Sequence, residues 1–152
     1  MSEPISTDER VQRLEDQLEI QKLVNVYGRL LDQRDFGAFA QLFAVDGEIL
    51  LGPLARATGP AEIERAMEAA LPGPPGEDLH IIGTPIVELD GDTARSEVMW
   101  TVLRRGAQDG PMVAMVGRHR DELVRVGGQW RFKRRRGFVD IPSRLAGRES
   151  DS

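Results

Sequence analysis

The sequence contains no cysteine, so disulfides and thiolate metal sites are excluded, and the missing thiols fit a reducing compartment. Histidine is scarce as well. The only two, His80 and His119, lie too far apart in the chain for a histidine-carboxylate metal motif. No glycine-rich phosphate loop and no nucleophile elbow occurs either, so neither a cofactor nor a metal is expected. Long hydrophobic runs are absent, which argues against a membrane span or membrane partner. The opening MSEPISTDER lacks the basic start and apolar run of a secretory signal, so a soluble, cytoplasmic protein is expected. An excess of basic charge is also missing. The net charge is -5 and the pI near 5.1, against the basic surface that phosphate contact rewards, and no nucleic-acid partner is expected. The local exception is Arg131, Lys133, Arg134, Arg135 and Arg136.

What is present is 152 residues, 40% of them hydrophobic, enough for one domain with a real core. From Asp8 the apolar positions Val11, Leu14, Leu18, Ile20, Val24, Tyr27 and Leu31 recur at helical spacing and predict a long helix to about Leu31. Asp35 caps a short second helix, with Phe36, Phe39, Leu42 and Phe43 toward the core. Asp46-Gly47 ends it and starts a strand over Glu48 to Leu51. Thr58-Gly59-Pro60 opens a third helix, with Ile63, Met67 and Leu71 on its buried side. The PGPPGE run, Pro72 to Glu77, reads as a loop on a pocket rim.

Alternation then predicts four strands, Leu79 to Leu89, Thr93 to Arg105, Met112 to Val126 and Gln129 to Val139. Three helices followed by a meander give an α+β fold with helices on one face of a curved, mainly antiparallel sheet. The domain is expected over residues 8–140, with 1–7 disordered and 141–152 a tail. Apolar area left on the open sheet face implies a homo-oligomer, dimer or trimer.

Several residues stand out chemically. Asp32 places a carboxylate at the negative end of the first helix dipole, a position costing roughly 0.3–1 kcal/mol. It reads as a solvated carboxylate in the interhelix turn or as a helper in capping the second helix beside Asp35, and only a partner overturns that. His80 opens the first long strand and shares parity with Ile82 and Ile86, so its ring points with apolar neighbours. It is the best proton acceptor available near neutral pH, unless it is a satisfied structural side chain. His119 follows the alternation Val113, Met115, Gly117, His119, Asp121 and is possible pocket lining. Trp100 and the phenylalanines supply apolar walls. In the basic run, alternation turns about half of the cations outward and leaves at least one to face inward.

The order of these motifs, YGRLLDQRD, FxxLF, GPAEI, the strand opening at His80, LDGDTA and GRHRDELVR…GGQWRFKRR, resembles the SnoaL-like group of the nuclear-transport-factor-2 superfamily over roughly Asp8 to Val139. That resemblance implies a cone enclosing one ligand pocket. The site pattern is similar to that of the hexachlorocyclohexane dehydrochlorinase and bile-acid dehydratase branches, whose Asp-His dyad falls on Asp32 and His80. Their strand arginine, counted from Trp130, falls on Arg135, beside Arg134 and Arg136, and their pocket tyrosine on Tyr27. Leu51 stands where the steroid isomerase branch has its base, and His119 where relatives often carry tyrosine.

The implied activity is a cofactor-independent elimination. His80 takes a proton, Asp32 orients the ring, Arg135 steadies the leaving group, and Tyr27, Trp100 and His119 bind an apolar cyclic or aromatic small molecule. Isomerisation or polyketide cyclisation in the same pocket, or a non-catalytic binding or structural subunit, are the alternatives.

Overall fold

The computed structural model describes residues 3–142. Residues 1–2 of the expected disordered segment and 143–152 of the expected tail lie outside the described residues.

Helix α1, Thr7–Gln33, starts on a capping box. The Ser6 hydroxyl accepts from the Glu9 amide, and the Glu9 carboxylate accepts from the Ser6 amide. It stops where Arg34 turns left-handed at φ 60°. Its buried side begins only at Asp16 and runs through Ile20, Leu23, Val24, Tyr27, Gly28 and Leu31. Val11, Leu14 and Leu18, expected in the same stripe, are exposed. The first turns overhang the sheet, and the group tying them down is polar. Asp16 accepts from Trp130 Nε1 at 3.0 Å and also from Arg125.

Helix α2, Phe36–Ala40, is capped by the Asp35 carboxylate, which accepts from the Ala38 amide at 3.1 Å. Phe43, expected on this helix, instead begins strand β1, Phe43–Leu50. The spacing of Phe36, Phe39 and Phe43 fits a helix, but the Phe43 ring reaches Phe39 and Phe132 from a strand. Asp46-Gly47 lies in an irregular stretch of that strand between Phe43 and Glu48. A β-carbon on Gly47 would stand 2.8 Å from the Phe132 carbonyl oxygen.

A short strand β2, Arg56–Thr58, leads into helix α3, Pro60–Ala70, with Gly59 at φ 82° before its N-terminal proline. Ile63 and Met67 are fully buried beneath it.

The expected strand from Leu79 to Leu89 is two strands, β3, Asp78–Ile82, and β4, Ile86–Asp90. Pro85 has no amide to give a ladder, and Gly83 donates instead to the Met99 carbonyl. The break also resets the alternation, so Ile86, expected inward with His80, is exposed. Both pieces pair with β5, Thr93–Arg105, which continues through β6, Pro111–Val126, into β7, Gln129–Ile141.

The sheet order is β2-β1-β7-β6-β5-β3, with β4 also on β5. Among the described strands only β1 and β7 run parallel; the other pairs are antiparallel. The result is an α+β fold in which the helices fill the hollow of a curved sheet. Tyr27, Phe36, Phe39, Phe43 and Phe132 meet in one core cluster. Burying each such ring contributes about 1.5–3 kcal/mol.

Candidate active site

Gly28 lets the wall of the site close. A β-carbon there would stand 2.9 Å from Ile82 Cγ1, so strand β3 can lie tight against helix α1. One turn later the Asp32 carboxylate meets that strand. It accepts from the His80 amide at 3.0 and 3.1 Å and lies 2.6 Å from His80 Nδ1. With Nδ1–H donating to the carboxylate, the lone pair belongs to Nε2. The Asp32 carbonyl meanwhile accepts from Gly76, which fastens the PGPPGE loop beside the pair.

His80 opens onto a cavity of about 420 Å³, lined also by Tyr27, Leu51, Met67, Trp100, Val102 and His119. Its walls are mostly apolar. A wider groove of about 920 Å³ carries Asp46, Glu88, Arg95, Glu122 and Lys133 on its walls and neither histidine.

Trp100 faces Gly117 across the β5–β6 ladder, and His119 faces Gly137 across β6–β7. His119 is 5% exposed, with its ring edge-on to Tyr27 at 5.3 Å. Burial, then the Arg135 cation, then His80 hold its pKa well below the ordinary value of 6.5. Burial pushes the Tyr27 phenol up to about 12, against a smaller lowering by Arg135, so its hydroxyl stays protonated. Trp100 Nε1 and His119 Nδ1 are buried without a hydrogen-bond partner among the described residues. Val113, expected on this inward row, is exposed, because a register shift between Val102 and Leu103 interrupts the alternation.

Arg135 alone of the three consecutive arginines is buried. Arg134 pairs with Glu48 at 3.4 Å, and Arg136 stands opposite Arg120 on the ladder. Arg135 does not reach the dyad, however, and forms no part of the cavity wall. It is 0% exposed, with its guanidinium 4.1 Å from the Tyr27 ring centre and 4.4 Å from that of Phe132. Its Nε lies 2.9 Å from Asp121 Oδ1, out of line for a hydrogen bond, and Nη2 donates to Oδ2 at 3.4 Å. The Ser96 hydroxyl donates to Oδ2 at 2.8 Å. Burial raises the Asp121 pKa, and Arg135 and Ser96 act against that rise. The site thus joins Asp32, His80, Tyr27, Trp100 and His119, with Arg135 behind them.

Two groups on the wall escaped the sequence reading. Asp78 and Arg104 meet at the cavity, Arg104 Nε donating to Asp78 Oδ1 at 2.6 Å. Their inward parity with His80 and Trp100 was the available signal.

A curved sheet with helices in its hollow and an apolar cavity lined by both layers is the architecture of the nuclear-transport-factor-2-like class. The chain belongs to the SnoaL-like domain family, which matches residues 12–136. It is 32% identical to the uncharacterised protein Rv2910c of Mycobacterium tuberculosis over 82% of this chain and 86% of that one. A crystal structure of an NTF2-like protein with a cystatin-like fold from Novosphingobium aromaticivorans is 28% identical, covers 96% of both chains and superposes with a TM-score of 0.80. A second protein of that organism, provisionally named a scytalone dehydratase, shares the fold at 22% identity over 88% of each chain, with a TM-score of 0.68.

Proposed function

We propose that the chain is a cofactor-independent lyase that removes water from an apolar cyclic or aromatic small molecule. The observation that carries this reading is the 2.6 Å contact between Asp32 and His80 Nδ1 in the wall of an apolar cavity. His80 Nε2 takes a proton from a carbon next to a carbonyl, and the C–H electrons pass into an enolate with its charge on the carbonyl oxygen. The enolate electrons then form the new carbon–carbon double bond as the C–O bond on the adjoining carbon breaks, and the proton held by His80 leaves with the hydroxyl as water. Asp32 fixes the ring and stabilises the imidazolium, a combination worth about 10²–10⁴ in rate. Tyr27 donates to the carbonyl oxygen, and Trp100 and His119 shape the deep end. The apolar wall keeps competing water from the base.

We further propose that the chain acts in the cytoplasm, as one domain over residues 8–140. Leu79, Ile81, Met99 and Val113 are exposed, and burial of such side chains between copies supports a homo-oligomer, dimer or trimer.

The test is a screen of hydroxylated cyclic ketones for loss of water, with the His80→Ala and Asp32→Asn variants beside the native chain. Turnover that both variants abolish supports the lyase. Turnover undiminished in either sinks the dyad, and double-bond migration without loss of water would make the enzyme an isomerase.

A further inference from the structure

The inner face of the sheet carries a polar row that the elimination does not use directly. Ser96, Asp121 and Arg135 stand opposite one another on β5, β6 and β7. All three are buried. A buried charge pair is no guarantee of stability, because removing two charges from water costs as much as their attraction returns. Its position therefore matters more than its strength.

The next row along the sheet is Val98, His119 and Gly137, of which His119 and Gly137 line the cavity. Tyr27 connects the two rows. One face of its ring lies against the Arg135 guanidinium at 4.1 Å, it stands steeply inclined to the His119 ring at 5.3 Å, and it lines the cavity. The guanidinium is ion-paired with Asp121 but not fully hydrogen-bonded. Its Nη1 has no hydrogen-bond partner among the described residues, and only Nη2 donates to Asp121.

We infer that Arg135 is a positioning residue: a cation sealed behind the cavity wall, acting on the substrate only through the rings of Tyr27 and His119. It holds the Tyr27 ring from one face and adds to the burial that keeps His119 an uncharged imidazole. The wall presented to the substrate is then a phenol hydroxyl and a neutral ring, with the guanidinium of the ion pair directly behind the phenol. That arrangement suits an oxygen that is neutral when bound and gains negative charge as the proton leaves its carbon. It disfavours cationic ligands.

The charged and titratable groups around His119 are Tyr27 on α1, His80 on β3, Asp121 on its own strand and Arg135 on β7. Asp78 and Arg104 stand elsewhere on the cavity wall. The direction of the His119 shift agrees with the placement of Arg135.

This inference takes its meaning from the elimination reading, but its test reads the free protein and is independent of turnover. The chain has two histidines, so imidazole nitrogen resonances followed by NMR across pH give two titrations, and His80→Gln assigns the remaining one to His119. In the native chain His119 is expected to stay neutral well below the ordinary histidine range. In Asp121→Asn/Arg135→Met, which removes both buried charges together, its midpoint is expected to rise by about half a unit, roughly threefold in proton affinity. Arg135→Lys, which keeps the charge, holds the midpoint low. An ordinary His119 midpoint in the native chain overturns the inference. So does a folded charge-free variant that titrates as the native chain does, or a lysine variant that shifts as far as the methionine one. Should Asp121→Asn/Arg135→Met fail to fold, Asp121→Asn/Arg135→Gln is judged by the same outcomes.

Discussion

The indole of Trp100 occupies space that Gly117 leaves on the neighbouring strand: a β-carbon on residue 117 would stand 2.3 Å from Trp100 Cζ2 and 2.0 Å from the Phe138 carbonyl oxygen. The second contact is with backbone, so the site cannot adapt by side-chain motion alone. Gly117→Ala is expected to lower stability by about 1–3 kcal/mol through overpacking and to shift the indole within the cavity. Urea unfolding together with tryptophan fluorescence measures both. A variant with native stability and an unchanged emission spectrum would contradict this account of the wall.

Gly28 makes the corresponding close approach on the helix side. Gly28→Val is expected to push Ile82 and the adjoining His80 away from Asp32, and to reduce turnover at least tenfold on any substrate found. Asp32→Asn reaches the same endpoint by chemistry rather than distance, with a loss of about 10²–10⁴. Crystal structures of the two variants separate the causes. The first should show a lengthened contact between residues 32 and 80, the second a native one.

Acid stability should depend on His119. A histidine whose folded pKa is depressed binds fewer protons folded than unfolded as pH falls through its ordinary 6.5, so its contribution to stability is present above that value and is lost below it. The slope is at most about 1.4 kcal/mol per pH unit. Asp121, whose pKa is raised, acts in the opposite sense, its contribution being lost as pH rises through its folded value. His119→Gln is therefore expected to lose less stability than the native chain between pH 7 and pH 5, measured by urea midpoints. Equal losses in the two proteins would mean that His119 is not buried neutral.

Asp16 fastens the first turns of α1 to the β6–β7 end of the sheet through Trp130 Nε1 and Arg125. Asp16→Ala leaves the buried indole N–H without a partner, which costs about 1–3 kcal/mol. Hydrogen exchange should rise selectively in the first half of the helix and much less around Tyr27. A uniform rise along α1 would show that the helix opens as one unit.

The sequence made local punctuation easy to read. Asp35 and Gly59-Pro60 each act within a few residues, and each marks a real element boundary, whereas Asp46-Gly47 lies inside β1. Long-range pairing was not legible. Phe43 obeys helical spacing from Phe36 and Phe39, yet strand β7 draws it into a sheet. The Gly83–Pro85 break hid inside alternation that continues on both sides. At the site, Asp32 and His80 could be named from their motif positions, because the family resemblance places both. Alternation indicated that some arginine points inward but not how deep. Depth for Arg135 is set by Tyr27 and Phe132, which come from other parts of the chain. Asp121 was noticed only as a neighbour of His119, although it is the partner that makes a buried arginine possible.

The parallel pairing of β1 with β7 sets an order of events during synthesis. Strand β1 emerges early with its future neighbour still untranslated, and β7 fits between it and β6 only after the β3–β6 region has appeared. Until then the sheet is two fragments, each with an unpaired edge, and the strand bearing Arg135 is missing from the space beneath Tyr27. A nascent chain can therefore present the Asp32–His80 pair before it has a deep wall to set against it, and the cavity is completed by a strand made after both members of the dyad.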